Sequence, residues 1–142
     1  MITSPESGRG GSSGFTLIEV LIVVVIIGLL ATIAIPRLQD FRNQAHFSGI
    51  TSDFRNFATV QEHYWQTHAT YALDMDDLRF NGTQGVEIQV VEATAMGWSA
   101  VGTHMALPSD QGCAVYLGDA DPPALPDGTP HNGGPGVVQC AR

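Results

Sequence analysis

An unbroken apolar run, FTLIEVLIVVVIIGLLATIAI over residues 15–35, constrains this chain more than any other feature. It contains 21 residues and one charge, Glu19. As an α-helix it spans roughly 31 Å at about 1.5 Å per residue, which matches a bilayer hydrocarbon core of about 30 Å. The apolar region of a secretory signal is shorter, about 7–15 residues, so a cleaved signal ending near Ala34 fits poorly. The 14 residues before the run are rich in Gly and Ser, lack any periodicity and are not expected to fold.

Pro36 follows, and the pattern turns amphipathic. Leu38, Phe41, Ala45, Ile50, Phe54, Phe57, Gln61, Tyr64 and Trp65 recur mostly at steps of three and four, the spacing of one helix face. Arg37, Asp40, Arg42, Asn43, Asp53, Arg55 and Glu62 are assigned to the other faces. The pattern predicts one helix from about Phe15 to His68, with a half-buried second half. Pro36 removes a backbone donor and crowds the preceding turn, so a kink is expected there, not a stop. Gly28 is a second weak point. Residues 70–78 read as a loop with a short helical turn, and Asn81-Gly82 as a turn. Residues 85–93 alternate Val86, Ile88 and Val90 with Glu87 and Gln89, the period of a strand. Residues 98–103 and 113–117 are two further strand candidates. From Gly118 the chain is dense in Pro, Gly and Asp and reads as irregular. The fold class is α+β: a long N-terminal helix on a small antiparallel sheet at about 85–118, with a C-terminal loop over 119–142.

Composition removes whole classes of function. The chain has 14 acidic and 6 basic residues, a net charge of -8 and no lysine. A phosphate loop of the G-x-x-x-x-G-K-[ST] type, a Schiff-base lysine and a Ser-Lys pair are excluded. Beyond Arg79 only Arg142 is basic, against Glu87, Glu92, Asp110, Asp119, Asp121 and Asp127, so the C-terminal part repels nucleic acid. Two cysteines cannot build a four-cysteine zinc site. His46, His63, His68, His104 and His131 form no H-E-x-x-H motif, and His63 and His68 are five apart, off a common helix face. They read as surface or groove residues. No G-x-S-x-G elbow frames a serine, and no nucleophile–base–orienter set can be assembled. No enzyme activity, cofactor or metal is expected. Asp119, Asp121 and Asp127 fall outside EF-hand spacing, and turn chemistry accounts for Asp beside Pro and Gly. Asn81-Gly82-Thr83 fits the short N-x-[ST] pattern, but Asn-Gly as a turn explains it equally.

The functional signal is Gly14-Phe15-Thr16-Leu17-Ile18-Glu19 at the head of the apolar run. A carboxylate inside a membrane span is a functional hypothesis by default, with snorkelling to the interface as the structural alternative. The string resembles the processing site of the type IV pilin family, which includes the pseudopilins of type II secretion. Gly14 stands as the last leader residue, Phe15 as the first mature residue, Glu19 as the fifth and Pro36 as the twenty-second. The resemblance covers this segment closely and the rest of the chain in architecture only.

That resemblance implies a leader over 1–14, a transmembrane or filament-core helix over 15–36 and a periplasmic or extracellular head over 37–142, its helix running to 68. It implies cleavage between Gly14 and Phe15 by a membrane-embedded prepilin peptidase and methylation of the new amine of Phe15. The precursor would wait in the inner membrane, then be extracted by the assembly machinery into a helical homopolymer, a pilus on the cell surface. Glu19 would supply a counter-charge to the Phe15 amine of a neighbouring copy, and Gly28 and Pro36 would bound a stretch able to melt. In the oxidising compartment so implied, Cys113 and Cys140 read as a disulfide; two free buried thiols are the alternative. The family's leader is usually basic, whereas this one carries only Arg9, and Arg37 and Arg42 lie beyond the span. The implied orientation therefore rests on the motif and not on the positive-inside rule. A pseudopilin of a type II secretion system, or a minor pilin with an adhesive role, are the alternative functions.

Overall fold

The computed structural model describes residues 14–142, and the expected leader apart from Gly14 lies outside them. Helix α1 runs Leu17–His68, 52 residues without interruption in the assignment. It passes through Gly28 and Pro36, so neither ends it, as the resumed periodicity indicated. Ala69, with φ 55°, follows the helix, and its N–H donates to the Trp65 carbonyl at 2.8 Å. A 3-10 turn, Met75–Asp77, is capped by Asp74, whose side chain accepts from the Asp76 N–H. Four strands follow: β1 Val86–Ala93, β2 Trp98–His104, β3 Gly112–Leu117 and β4 Gln139–Ala141. The sheet is antiparallel throughout, in the order β1-β2-β3-β4. A register shift between Val90 and Glu92 sets a bulge into β1.

The chain divides into two compact units, one ending at Leu38 and one over Gln39–Arg142. In the second unit α1 and the sheet share a core. Phe47, Ile50, Phe54 and Phe57, at helical steps of three and four, pack on Ile88, Val90, Trp98, Ala100, Cys113 and Val115, the alternate residues of three strands. The ring of Phe57 meets Phe80 and Trp98 edge-on, with centroids 5.4 and 5.2 Å away. Sheet and helix approach closely at Gly102, where a Cβ would lie 2.7 Å from Ile50. On the other face of the sheet Val101, Ala114 and Ala141 pack with Leu125 from the C-terminal segment. The sheet is thus covered by the helix on one side and by the chain after β3 on the other.

Several expectations need correction. Leu38, Phe41 and Ala45 are exposed; the buried stripe begins at Phe47, where the helix first has the sheet beside it. Asp53, assigned to a polar face, is 2% exposed. Its carboxylate accepts the Thr83 N–H at 2.6 Å and the Thr83 hydroxyl at 2.9 Å, so hydrogen bonds replace the water it has lost. The tight turn falls at Gln84-Gly85, not at Asn81-Gly82: the Val86 N–H donates to the Thr83 carbonyl, and Gly85 takes φ +87°. The stretch read as irregular ends in β4, a strand too short to show a period. His131 is buried, with Nε2 and the Val137 carbonyl 3.1 Å apart, and is not a surface residue.

Candidate assembly site

The head of α1 is built by three consecutive short-range contacts. The Thr16 N–H and the Thr16 hydroxyl both donate to Oε2 of Glu19, at 2.9 and 2.8 Å. The Glu19 N–H returns a bond to Oγ1 of Thr16 at 3.3 Å. This reciprocal arrangement is a capping box, with Thr16 outside the first turn and Glu19 three residues in. It satisfies two donors that a helix start leaves orphaned, and it places a carboxylate at the positive end of the helix dipole. The motif [ST]-x-x-[DE] before an apolar run was legible in Thr16-Leu17-Ile18-Glu19, whereas the sequence pointed to an intermolecular role for Glu19, or snorkelling, and not to a cap.

The box uses one carboxylate oxygen. Oε1 of Glu19 has no hydrogen-bond partner among the described residues, and Phe15, directly before the cap, is 84% exposed. From residue 15 to residue 35 the large apolar side chains are at least half exposed within the single chain. α1 is long and apolar enough to cross a membrane by length and composition. Inside this stretch the Thr32 hydroxyl donates to the Gly28 carbonyl at 3.0 Å. A Cβ at Gly28 would meet nothing within 4 Å, so no contact within the chain requires glycine there.

In the second unit Cys113 and Cys140 are disulfide-bonded and directly opposed across β3 and β4. Cys113 is fully buried on the helix-facing side. The 27-residue separation brackets the segment that covers the outer face of the sheet. That segment is pinned by the Tyr116 hydroxyl donating to the Gly133 carbonyl, by the Gly136 N–H donating to the Tyr116 carbonyl, and by Oε1 of Gln139 accepting the N–H groups of Asn132 and Gly133.

The remaining sequence candidates are dispersed. Asp119 accepts from the Thr94 hydroxyl, the Asp121 N–H donates to Glu92, and Asp127 accepts the N–H and hydroxyl of Thr129. The two Thr129 bonds, the hydroxyl first, hold the Asp127 carboxyl below its ordinary range. Asp127 is thus engaged in its own turn, Asp119 accepts from a residue 25 positions away, and Asp121 is held through its backbone. His68 stacks on Tyr64 with centroids 3.9 Å apart, and His63 is exposed. Among the described residues no group of three or more His, Cys, Asp or Glu is placed to hold a metal ion. Sequence reasoning missed Gln61 as a structural group: fully buried, it donates to the Ala72 carbonyl at 2.7 Å and accepts the Ala72 N–H at 2.9 Å, tying α1 to the loop after it.

A capped apolar helix followed by a four-stranded, disulfide-linked sheet defines a class of structural subunit, and comparison with known proteins narrows it. Residues 9–35 match the family described as the prokaryotic N-terminal methylation motif. The chain is 31% identical over 107 residues to the type II secretion system core protein G of Pseudomonas aeruginosa, covering 72% of this chain and 69% of that protein. It is 31% identical over 97 residues to the type IV wide pilus major component PilA4 of Thermus thermophilus, covering 66% and 74%. It is 36% identical over 91 residues to a fimbrial protein of Neisseria meningitidis, covering 57% and 54%. The chain belongs to the type IV pilin family, taken to include the pseudopilins, as a structural subunit.

Proposed function

We propose that this chain is the subunit of a type IV pilus. Prepilin peptidase cuts between Gly14 and Phe15, and the new amine of Phe15 is methylated. The precursor waits in the inner membrane through residues 15–36 with its head on the periplasmic side. Assembly machinery then moves it into a helical homopolymer on the cell surface. The observation that carries this reading is the methylation-motif match over residues 9–35, laid on a helical stretch whose large apolar side chains are at least half exposed among the described residues.

Glu19 has a physical task in such a filament. Cleavage creates a cation at Phe15, and burial of an unpaired charge in an apolar bundle is strongly unfavourable. The carboxylate of a neighbouring copy, with Oε1 unused by the cap, supplies the counter-charge. The pair forms when two copies are displaced by about one helical turn, roughly 5.4 Å, and so it fixes stagger. Gly28 and Pro36 bound a stretch that unwinds in the filament at reduced cost; continuous helical density through both would disprove that part.

A short pseudopilus of type II secretion is the second reading, favoured by the long match to core protein G. The disulfide-bounded segment supports the pilus, as do Asp119 and Asp127, whose carboxylates bond to separate threonines.

Intact-mass and N-terminal peptide analysis of filaments sheared from cells tests the proposal. A chain that starts at Phe15 with one added methyl, shed in quantity, is expected. A chain that keeps Met1 or starts after Ala34 overturns it. Glu19→Gln separates the two roles of the carboxylate, because an amide at that position preserves the capping box without the charge. Loss of filaments in Glu19→Gln supports the intermolecular pair; normal filaments leave Glu19 as a cap.

A further inference from the structure

His46 and His104 make a contact that filament assembly does not call for. His46 lies on α1 next to Phe47, at the start of the buried stripe, and His104 closes β2. Their ring centroids are 4.0 Å apart and the planes are inclined by 33°. Both residues are half-buried. The partners of His104 fix its tautomer. The Ala106 N–H donates to Nδ1 at 3.0 Å. A backbone amide can only donate, so Nδ1 must present a lone pair, and the neutral ring carries its proton on Nε2. The same corner is tied by the Met105 N–H donating to the Gly85 carbonyl at 2.9 Å. Gly85 brings the backbone so close that a Cβ would lie 3.0 Å from Nε2.

We propose that this corner is an acid-operated latch: a proton taken up on Nδ1 of His104 displaces the Ala106 amide, sets a cation against His46, and locally frees the turn after β2 and the turn before β1. The step is a simple exchange. A solvent proton takes the Nδ1 lone pair, and the bond from the Ala106 N–H breaks. Donor then faces donor, so the Ala106 bond cannot form while the proton is held. The groups around the ring give no relief. From α1 the facing group is His46, itself a base. From β1 it is Glu87, which lines the open cleft beside His104 but forms no hydrogen bond to either ring among the described residues. The turn after β2 contributes the uncharged Met105, Leu107, Pro108 and Ser109.

The direction of the pH effect follows. Burial first, and His46 second, hold His104 below the ordinary 6.5, with the Gln84 carbonyl pulling the other way. The unfolded ring therefore takes its proton before the folded one does. Local stability is complete above 6.5 and is lost as pH falls from there through the lowered value. The latch lies wholly in the head, so it goes beyond the choice between pilus and secretion filament.

Hydrogen–deuterium exchange on the full chain in mild detergent, compared at about pH 7.5 and pH 5 with intrinsic rates corrected, tests the proposal. Peptides over 102–109 and 83–87 are expected to exchange severalfold faster at the lower pH, the direction that a lowered His104 pKa gives. Protection of β3 should hold. His46→Phe keeps an aromatic neighbour without an ionisable ring and should reduce the acceleration severalfold. His104→Gln has no proton to gain and should abolish it. Equal corrected protection at both pH values in the wild-type chain overturns the latch, as does an undiminished response in His46→Phe. If His104→Gln fails to fold, the wild-type and His46→Phe measurements decide.

Discussion

One helix obeys two sets of rules in this molecule. Beyond Gln39, α1 presents Phe47, Ile50, Phe54 and Phe57 to the sheet, and all four are buried by other parts of the same chain. Before Leu38, Val, Ile and Leu occupy every face, and each large apolar residue is at least half exposed. Both stretches are helical, so secondary structure does not distinguish them. The difference lies in where the partner is. A striped helix has its partner inside the chain, whereas a helix apolar all round is written for lipid or for other copies. Stability of the single subunit is therefore concentrated in Gln39–Arg142, while the N-terminal stretch contributes where something surrounds it.

Urea unfolding of the full chain in mild detergent, followed by tryptophan fluorescence, puts that contrast to the test. Phe57→Ala should cost about 3–5 kcal/mol, the range for deleting a fully buried ring. Leu21→Ala, equally apolar in sequence, should change the isolated subunit by less than about 0.5 kcal/mol. Equal losses at the two positions would erase the distinction between the stretches. Next in size, the double variant Cys113→Ala with Cys140→Ala should lose roughly 3 kcal/mol, since the bond closes a long loop over the outer face of the sheet. A smaller loss, about 2 kcal/mol, is expected for Gln61→Leu, which leaves the Ala72 N–H and carbonyl buried without partners. The smallest effect is a pH dependence confined to the head. Burial, then the bond and charge of Glu62, push the Tyr71 hydroxyl up to about 12 from 10.0. The folded state keeps that proton longer than the unfolded state. The contribution is complete below pH 10 and fades as pH rises towards 12. Tyr71→Phe should flatten stability across that window; an unchanged slope would assign it elsewhere.

How much of this was legible in the sequence depended on the range of the interactions. The helix was legible to within two residues at its start because its apolar spacing repeats over many turns. β1, β2 and β3 were legible from alternation in Val86, Ile88 and Val90 and from short runs after Gly97 and Gly112. β4 was not, since three residues hold no period; its only trace was Cys140, which needs a partner near β3. Asp53 was misplaced because a carboxylate reads as solvent-facing until the Thr83 N–H and hydroxyl come to meet it from 30 residues away. The exposure of Leu38, Phe41 and Ala45 was equally hidden, since periodicity gives a face without saying where its partner begins. At the N-terminus the motif of Gly14, Phe15 and Glu19 was fully legible, and the Thr16 cap stood in the same string without being used.

The disulfide fastens β4 in the layer that touches the helix, while the chain it brackets lies on the opposite side of the sheet, where Ala120, Leu125 and His131 are its buried anchors. Away from those anchors and from the bonds to Tyr116 and Gln139, the solvent-facing side chains of the segment are not what holds it in place. Substitutions between those anchors can accumulate without altering how the subunit folds.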